Sequence, residues 1–215
     1  MHPRQIAFWF FYGVAKGLAA PLLRLVFRMQ VRGRERVPRA GGLLIVSNHI
    51  SVFDPPILGS FIPRPVYWMA MVELFRHRIF GFLAPCMHCI PVDRQKGDSS
   101  AVRIAVRRLR AGDCVVIFPE GGVRNGETSA LHGNGEFKGG AAAIALLARV
   151  PVLPVVLTNT LAAYNWRNWF FRRTSIRIEF GEPFLMDKLM TREQASDLLL
   201  NRMQQLAASL SKSSA

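Results

Sequence analysis

His49 and Asp54 stand five positions apart in the stretch Asn48-His49-Ile50-Ser51-Val52-Phe53-Asp54. A neutral imidazole takes up a proton near pH 7. A carboxylate on its other ring nitrogen fixes the tautomer and stabilises the imidazolium that forms. In a serine hydrolase the proton comes from an enzyme hydroxyl, but this chain has no Gly-x-Ser-x-Gly elbow. A base without an enzyme nucleophile suits direct acyl transfer to a hydroxyl of the substrate. The same residues also suit a plainer structure. Asp54 precedes Pro55-Pro56, where it can cap a helix; His49 sits at a strand end, and Ser51 reads as a turn hydroxyl. Both roles for Asp54 can hold together.

The elements that must position these residues alternate between short apolar runs and helical stripes. Strands are expected at Val26–Val31, Leu43–Ser47, Val66–Met71, His88–Val92, Cys114–Phe118, Val152–Leu157 and Thr174–Phe180. Helices are expected after Pro55, near Leu74–Leu83, from Asp98 or Ser99 to Gly112, over Gly139–Arg149, and after Thr191-Arg192-Glu193-Gln194, a capping box. Residues 211–215 read as frayed. The alternation indicates a single α/β domain with a mostly parallel, mixed sheet flanked by helices. In such a sheet, ligands bind beyond the carboxyl ends of the strands. His49, Arg94 and Glu120 each follow a strand, so parallel strands bring them to one rim.

Composition narrows the partners. Lys plus Arg is 28 and Asp plus Glu is 14, a formal charge of +14 over 215 residues. That excess favours polyanions: nucleic acid, anionic lipid or phosphorylated substrates. Three cysteines, Cys86, Cys89 and Cys114, are too few for a disulfide scaffold and suit a reducing compartment. Cys86-Met87-His88-Cys89 lacks a second ligand pair at suitable spacing, so it reads as ordinary strand and no metal is expected. Ile6–Ala15 is an apolar, aromatic-rich run, followed by Lys16 and GLAAPLL and then Arg24 and Arg28. It falls short of the roughly 20 residues of a membrane span and suits a helix lying in the membrane interface better than a core helix of the domain or a signal or spanning segment. Residues 1–25 are therefore assigned to an N-terminal anchoring segment and 26–210 to the catalytic domain. Arg167, Arg172 and Arg173 interleave with Trp166, Trp169, Phe170 and Phe171, a mixture suited to headgroup depth.

Four blocks occur in order: Asn48 to Asp54, Ile90-Pro91-Val92-Asp93-Arg94, Phe118-Pro119-Glu120-Gly121, and Val150-Pro151-Val152-Leu153-Pro154. Gly33-x-Glu35-x-x-Pro38 and Phe137-Lys138-x-Gly140 accompany them. With these blocks, residues 26–185 resemble the lysophosphatidic acid acyltransferase family and its glycerolipid relatives. The resemblance implies that His49 deprotonates the acceptor hydroxyl and that Asp54 orients it. It implies that Arg94 and the Glu120-Gly121 turn hold the glycerol-phosphate end, and that Pro154 shapes the acyl pocket. Asn48, Ser51, Gly122, Arg124 and Lys138 join them as candidate substrate-binding residues. The resemblance further implies an acyl-thioester donor, acyl-CoA or acyl carrier protein, with no cofactor and no metal. The expected acceptor is a lysophospholipid, the expected further partner anionic membrane lipid rather than nucleic acid, and the expected location the cytoplasmic face of a membrane. The chain departs from the family pattern twice. Ile50 stands where glutamine is usual, and Gly122-Val123-Arg124 replaces Thr-Arg-Ser, moving the arginine one place along. A guanidinium fork grips phosphate bidentately, so the shift re-aims it. Another lysolipid, such as an amino-acid-derived one, is therefore an alternative acceptor, and a non-catalytic basic protein that binds lipid or nucleic acid is the alternative outside catalysis.

Overall fold

The computed structural model describes residues 13, 17–78, 81, 87–93, 99–124, 128–131, 135, 137–165 and 174–212. Helix α1 spans 17–26. It is followed by β1 (Arg28–Arg32), β2 (Leu43–Ser47), α2 (Asp54–Phe61), β3 (Tyr67–Met71), β4 (Cys89–Val92), α3 (Ser99–Arg110), β5 (Cys114–Ile117), α4 (Gly140–Ala148), β6 (Val152–Thr158), β7 (Ser175–Phe180) and α5 (Arg192–Lys212). The seven strands form one sheet in the order β1-β7-β6-β2-β5-β3-β4. Strand β2 pairs parallel with β5 and β6, and β3 pairs parallel with β4 and β5. Strand β7 runs antiparallel to β6 and carries β1 with it. The sheet is thus mixed but mostly parallel, as expected.

Burial on both faces explains why the central strand is apolar without alternation. All five residues of β2 are buried. Leu44 and Val46 face one core, with α3, α4 and α5; Leu43 and Ile45 face the other, with α2 and the inner stripe of α1. Helix α5 opens on the expected capping box. The Thr191 amide donates to Gln194 Oε1 at 2.9 Å, and the Gln194 amide donates to Thr191 Oγ1 at 3.3 Å. The helix runs on through Lys212, past the expected boundary at 210.

One expected helix is broken near its start. Of Leu74–Leu83, Leu74–Arg76 belong to a short 3-10 segment, Val72–Arg76; after a bend at His77, Arg78 and Gly81 are helical, and the Gly81 amide donates to the His77 carbonyl at 2.7 Å. The chain folds back so closely that a Cβ on Gly81 would collide with the Phe75 carbonyl, which a continuous α-helix does not permit.

His88 enters β4 with a left-handed backbone, φ 53°. Its ring packs on Tyr67 with centroids 4.9 Å apart, and Arg108 lies over the same tyrosine ring at 4.6 Å. Burial, then the Arg108 guanidinium, push His88 below the ordinary histidine value, while Asp113 opposes them. A depressed folded value means that the unfolded chain takes the proton first. The histidine's contribution is therefore complete above the unfolded value of about 6.5 and is lost as pH falls through it toward the lower folded value. His88→Asn, which tolerates positive φ, should show a flatter dependence of Tm on pH between about 7.5 and 5.5. Parallel curves for the two proteins would refute this.

Candidate active site

Strands β2 to β6 run the same way, so Asn48, Asp93, Phe118 and Asn159 follow their carboxyl ends along one edge. The loop after β2 turns back before α2 and places His49 Nδ1 2.8 Å from Asp54 Oδ2. The same carboxylate oxygen accepts the backbone N–H of Ile50 at 2.7 Å and of Ser51 at 2.8 Å. Asp54 is fully buried, and the His49 side chain is 15% exposed. An ionised carboxylate only accepts, so Nδ1 carries the proton and Nε2 keeps the lone pair a base needs. The imidazole stacks on Phe118, with centroids 4.2 Å apart and planes 22° off parallel.

The expected capping role of Asp54 is not realised. Asp54 is the first residue of α2, and no side chain caps that helix. The reason lies in Pro55 and Pro56, which have no N–H to offer a cap. The first available donor, the Ile57 amide, goes to the Phe53 carbonyl at 3.0 Å. The carboxylate is left to turn back toward His49. Ser51 behaves as a turn hydroxyl: it is buried, and its Oγ accepts the Phe53 amide at 3.1 Å.

The remaining expected residues divide between framework and cavity. Asn48 is buried with both ends of its amide engaged by Leu157 of β6: Nδ2 donates to the carbonyl at 2.9 Å, and Oδ1 accepts the N–H at 2.8 Å. Glu120 is 3% exposed. Its Oε2 accepts the His49 backbone N–H at 3.0 Å, and its Oε1 accepts the Ser129 hydroxyl at 2.9 Å and the Ala130 amide at 2.8 Å. The Arg124 amide donates to the His49 carbonyl at 2.6 Å, so the loop after β5 grips both sides of the His49 backbone. Gly121 has φ +69°, and a Cβ there would meet the stem of Lys138 at 2.7 Å. Gly122, half-buried, continues that turn. Pro154 is buried within β6, where its Cγ lies against Gly181. Arg94 and the aromatic-arginine stretch at 166–173 lie outside the described residues, as do 1–12 and 14–16.

A cavity of about 410 Å³ borders the site at Phe118; His49 itself is not part of its lining. Phe118, which carries the His49 ring on one face, forms part of its wall, with Met69, Ile117, Gly121, Lys138 and Arg192. Its size falls within the range of about 300–1,000 Å³ typical of small-molecule sites. A second cavity, about 240 Å³ and almost wholly apolar, lies between α1 and α2 and is bounded by Leu22, Val26, Phe53 and Ile57. Among the described residues, cysteine chemistry has little place here. Burial pushes the Cys89 thiol up to about 11, and Cys114 is buried in β5.

Sequence reasoning missed Phe118 as the surface under the imidazole, Ser129 behind Glu120, and Thr160. The Thr160 hydroxyl donates to Asp54 Oδ1 at 2.5 Å. Thr160 stands just past the end of β6, and the rule that drew attention to His49 and Glu120 applies to it equally.

The acyltransferase family model matches residues 28–158. The chain belongs to the acyltransferase family. This acyltransferase is 28% identical over 163 residues to the 1-acyl-sn-glycerol-3-phosphate acyltransferase of Bacillus subtilis, covering 75% of this chain and 76% of the relative. It is 34% identical over 143 residues to the lyso-ornithine lipid O-acyltransferase of Pseudomonas aeruginosa, covering 66% of this chain and 51% of that one. The crystal structure of the 1-acyl-sn-glycerophosphate (LPA) acyltransferase PlsC from Thermotoga maritima shares the fold. The TM-score is 0.77 at 21% identity, covering 98% of this chain and 84% of that chain. These relatives place the acyltransferase with the lysophosphatidic acid acyltransferases and their glycerolipid kin.

Proposed function

We propose that this acyltransferase moves a fatty acyl group from an acyl thioester, on coenzyme A or acyl carrier protein, to the free hydroxyl of a lysophospholipid. The observation that carries the reading is the 2.8 Å contact between His49 Nδ1 and the buried Asp54 carboxylate. Nε2 takes the hydroxyl proton as the oxygen attacks the thioester carbon. The carbon–sulfur bond breaks, and the departing thiolate receives the proton from the imidazolium. Asp54 holds the ring and steadies its charge. Glu120 and Asn48 act as framework: Glu120 holds the backbone of His49, and Asn48 joins β6 to the same loop. Lys138, Arg124 and Arg94 serve the anionic end of the substrate. The larger cavity receives the acyl chain at its apolar walls.

The enzyme works at a membrane surface. Leu18, Leu22 and Leu25 lie on the outer face of α1, exposed at 68%, 59% and 66%. The other face of that helix packs on the domain through Leu23 and Val26. An outward leucine stripe on a docked helix suits the acyl–headgroup boundary. Among the described residues, no helix is long and apolar enough to cross a membrane.

Two acceptors compete. 1-Acyl-glycerol-3-phosphate is the first. A lysolipid built on an amino acid is the second, favoured by Gly122-Val123-Arg124 in place of Thr-Arg-Ser and by the P. aeruginosa relative. The test incubates purified protein with acyl-CoA or acyl carrier thioester and either lysolipid, following thiol release and product mass. One new ester per thiol released is expected. Free fatty acid as the product, or no thiol release with any pairing, would overturn the reading.

A further inference from the structure

Asp54 is held from two directions. Its Oδ2 takes three donors from its own loop: the His49 ring and the amides of Ile50 and Ser51. Its Oδ1 takes the hydroxyl of Thr160, a residue 106 positions away and fully buried. Thr160 follows Asn159, whose backbone is left-handed at φ 64°, so the chain turns sharply off β6 and aims the threonine at the carboxylate. The pair of hydrogen bonds between Asn48 and Leu157 ties the same two segments together. A carboxylate held at one oxygen swings freely about its broad terminal torsion. Held at both, its plane is set, and with it the direction in which Oδ2 meets the imidazole.

We infer that Thr160 is a positioning residue for the His49–Asp54 pair, acting on the reaction through the orientation of Asp54. The inference rests on the proposed role of His49 as base. Thr160 touches neither cavity described above, so its effect falls on turnover and not on substrate affinity.

Thr160→Val keeps the shape and removes the donor. Its kcat should fall about 10- to 100-fold, as for a lost buried hydrogen bond to a charged group. KM for thioester and acceptor should stay within about twofold, and Thr160→Ser should restore most of the rate, because only binding-independent positioning is lost. In an Asp54→Asn background the same change should cost no more than about twofold, since a residue that works through Asp54 has nothing left to orient. If Thr160→Val does not fold, as judged by thermal melting, Thr160→Cys supplies a weak donor of similar size and is read in its place. A second readout needs no turnover: the Nδ1 proton of His49, assigned by its loss in His49→Ala, should give a proton resonance in the wild type that exchanges faster in Thr160→Val. Wild-type kcat with an unchanged resonance, a loss carried in KM, or a full additional loss on top of Asp54→Asn would each overturn the inference. His49→Ala run alongside separates the two ideas. Activity surviving there refutes the base, whereas activity lost there but kept in Thr160→Val refutes only the positioning role.

Discussion

His49→Ala should lower acyl transfer by about 10³-fold or more while the protein stays folded. General-base catalysis is worth about 10²–10⁴-fold, and no other base stands beside the imidazole's place among the described side chains. Glu120 is buried and committed to three donors, and Asp54 is buried and committed to four. Removing the ring leaves Asp54 with three donors, so the stability cost should be about 1–2 kcal/mol. For a chain of this size that is a fall in Tm of about 3–6 °C. The loss should appear in kcat, because the imidazole acts on a proton in flight and not on the bound ground state. Stopped thiol release with intact melting is the expected pair of observations. Thiol release at more than about a tenth of the wild-type rate would remove His49 from the mechanism.

The parts of this molecule legible in the sequence are those where burial is two-sided or chemistry is local. Leu43–Ser47 reads as a buried strand because every residue is apolar or small, and it forms the middle of the sheet with no exposed position. The His49–Asp54 contact lies within one loop, and the sequence spacing alone raises it. Long-range donors leave no such trace. Thr160 finds Asp54 across 106 residues, and Ser129 meets Glu120 from a segment with no periodic pattern. The dual reading of Asp54 was open in sequence because cap and orienting partner ask for the same residue type. It is the missing N–H groups of Pro55 and Pro56 that settle the side chain's direction. Helix α1 is the opposite case. It is apolar on both faces, so composition alone does not say which stripe packs on the domain; the structure packs one stripe there and leaves the other exposed.

Glu120→Gln should be the most damaging conservative change in the framework. The two carboxylate oxygens receive donors from opposite sides: the His49 amide on Oε2, and the Ser129 hydroxyl and Ala130 amide on Oε1. A glutamine has one oxygen and one NH₂. Whichever way the amide is turned, its NH₂ confronts a buried backbone N–H. One or two charge-assisted hydrogen bonds are lost at about 1.5–3 kcal/mol each. The expected fall in Tm is about 6–12 °C. Turnover should fall as well, because the residue set adrift is His49 itself. This outcome separates two roles for the same carboxylate. If Glu120 met the glycerol-phosphate end of the acceptor directly, as the motif suggests in sequence, the glutamine variant would melt like the wild type and show a raised acceptor KM. If it holds the base in place, melting temperature and kcat fall together and acceptor KM barely moves.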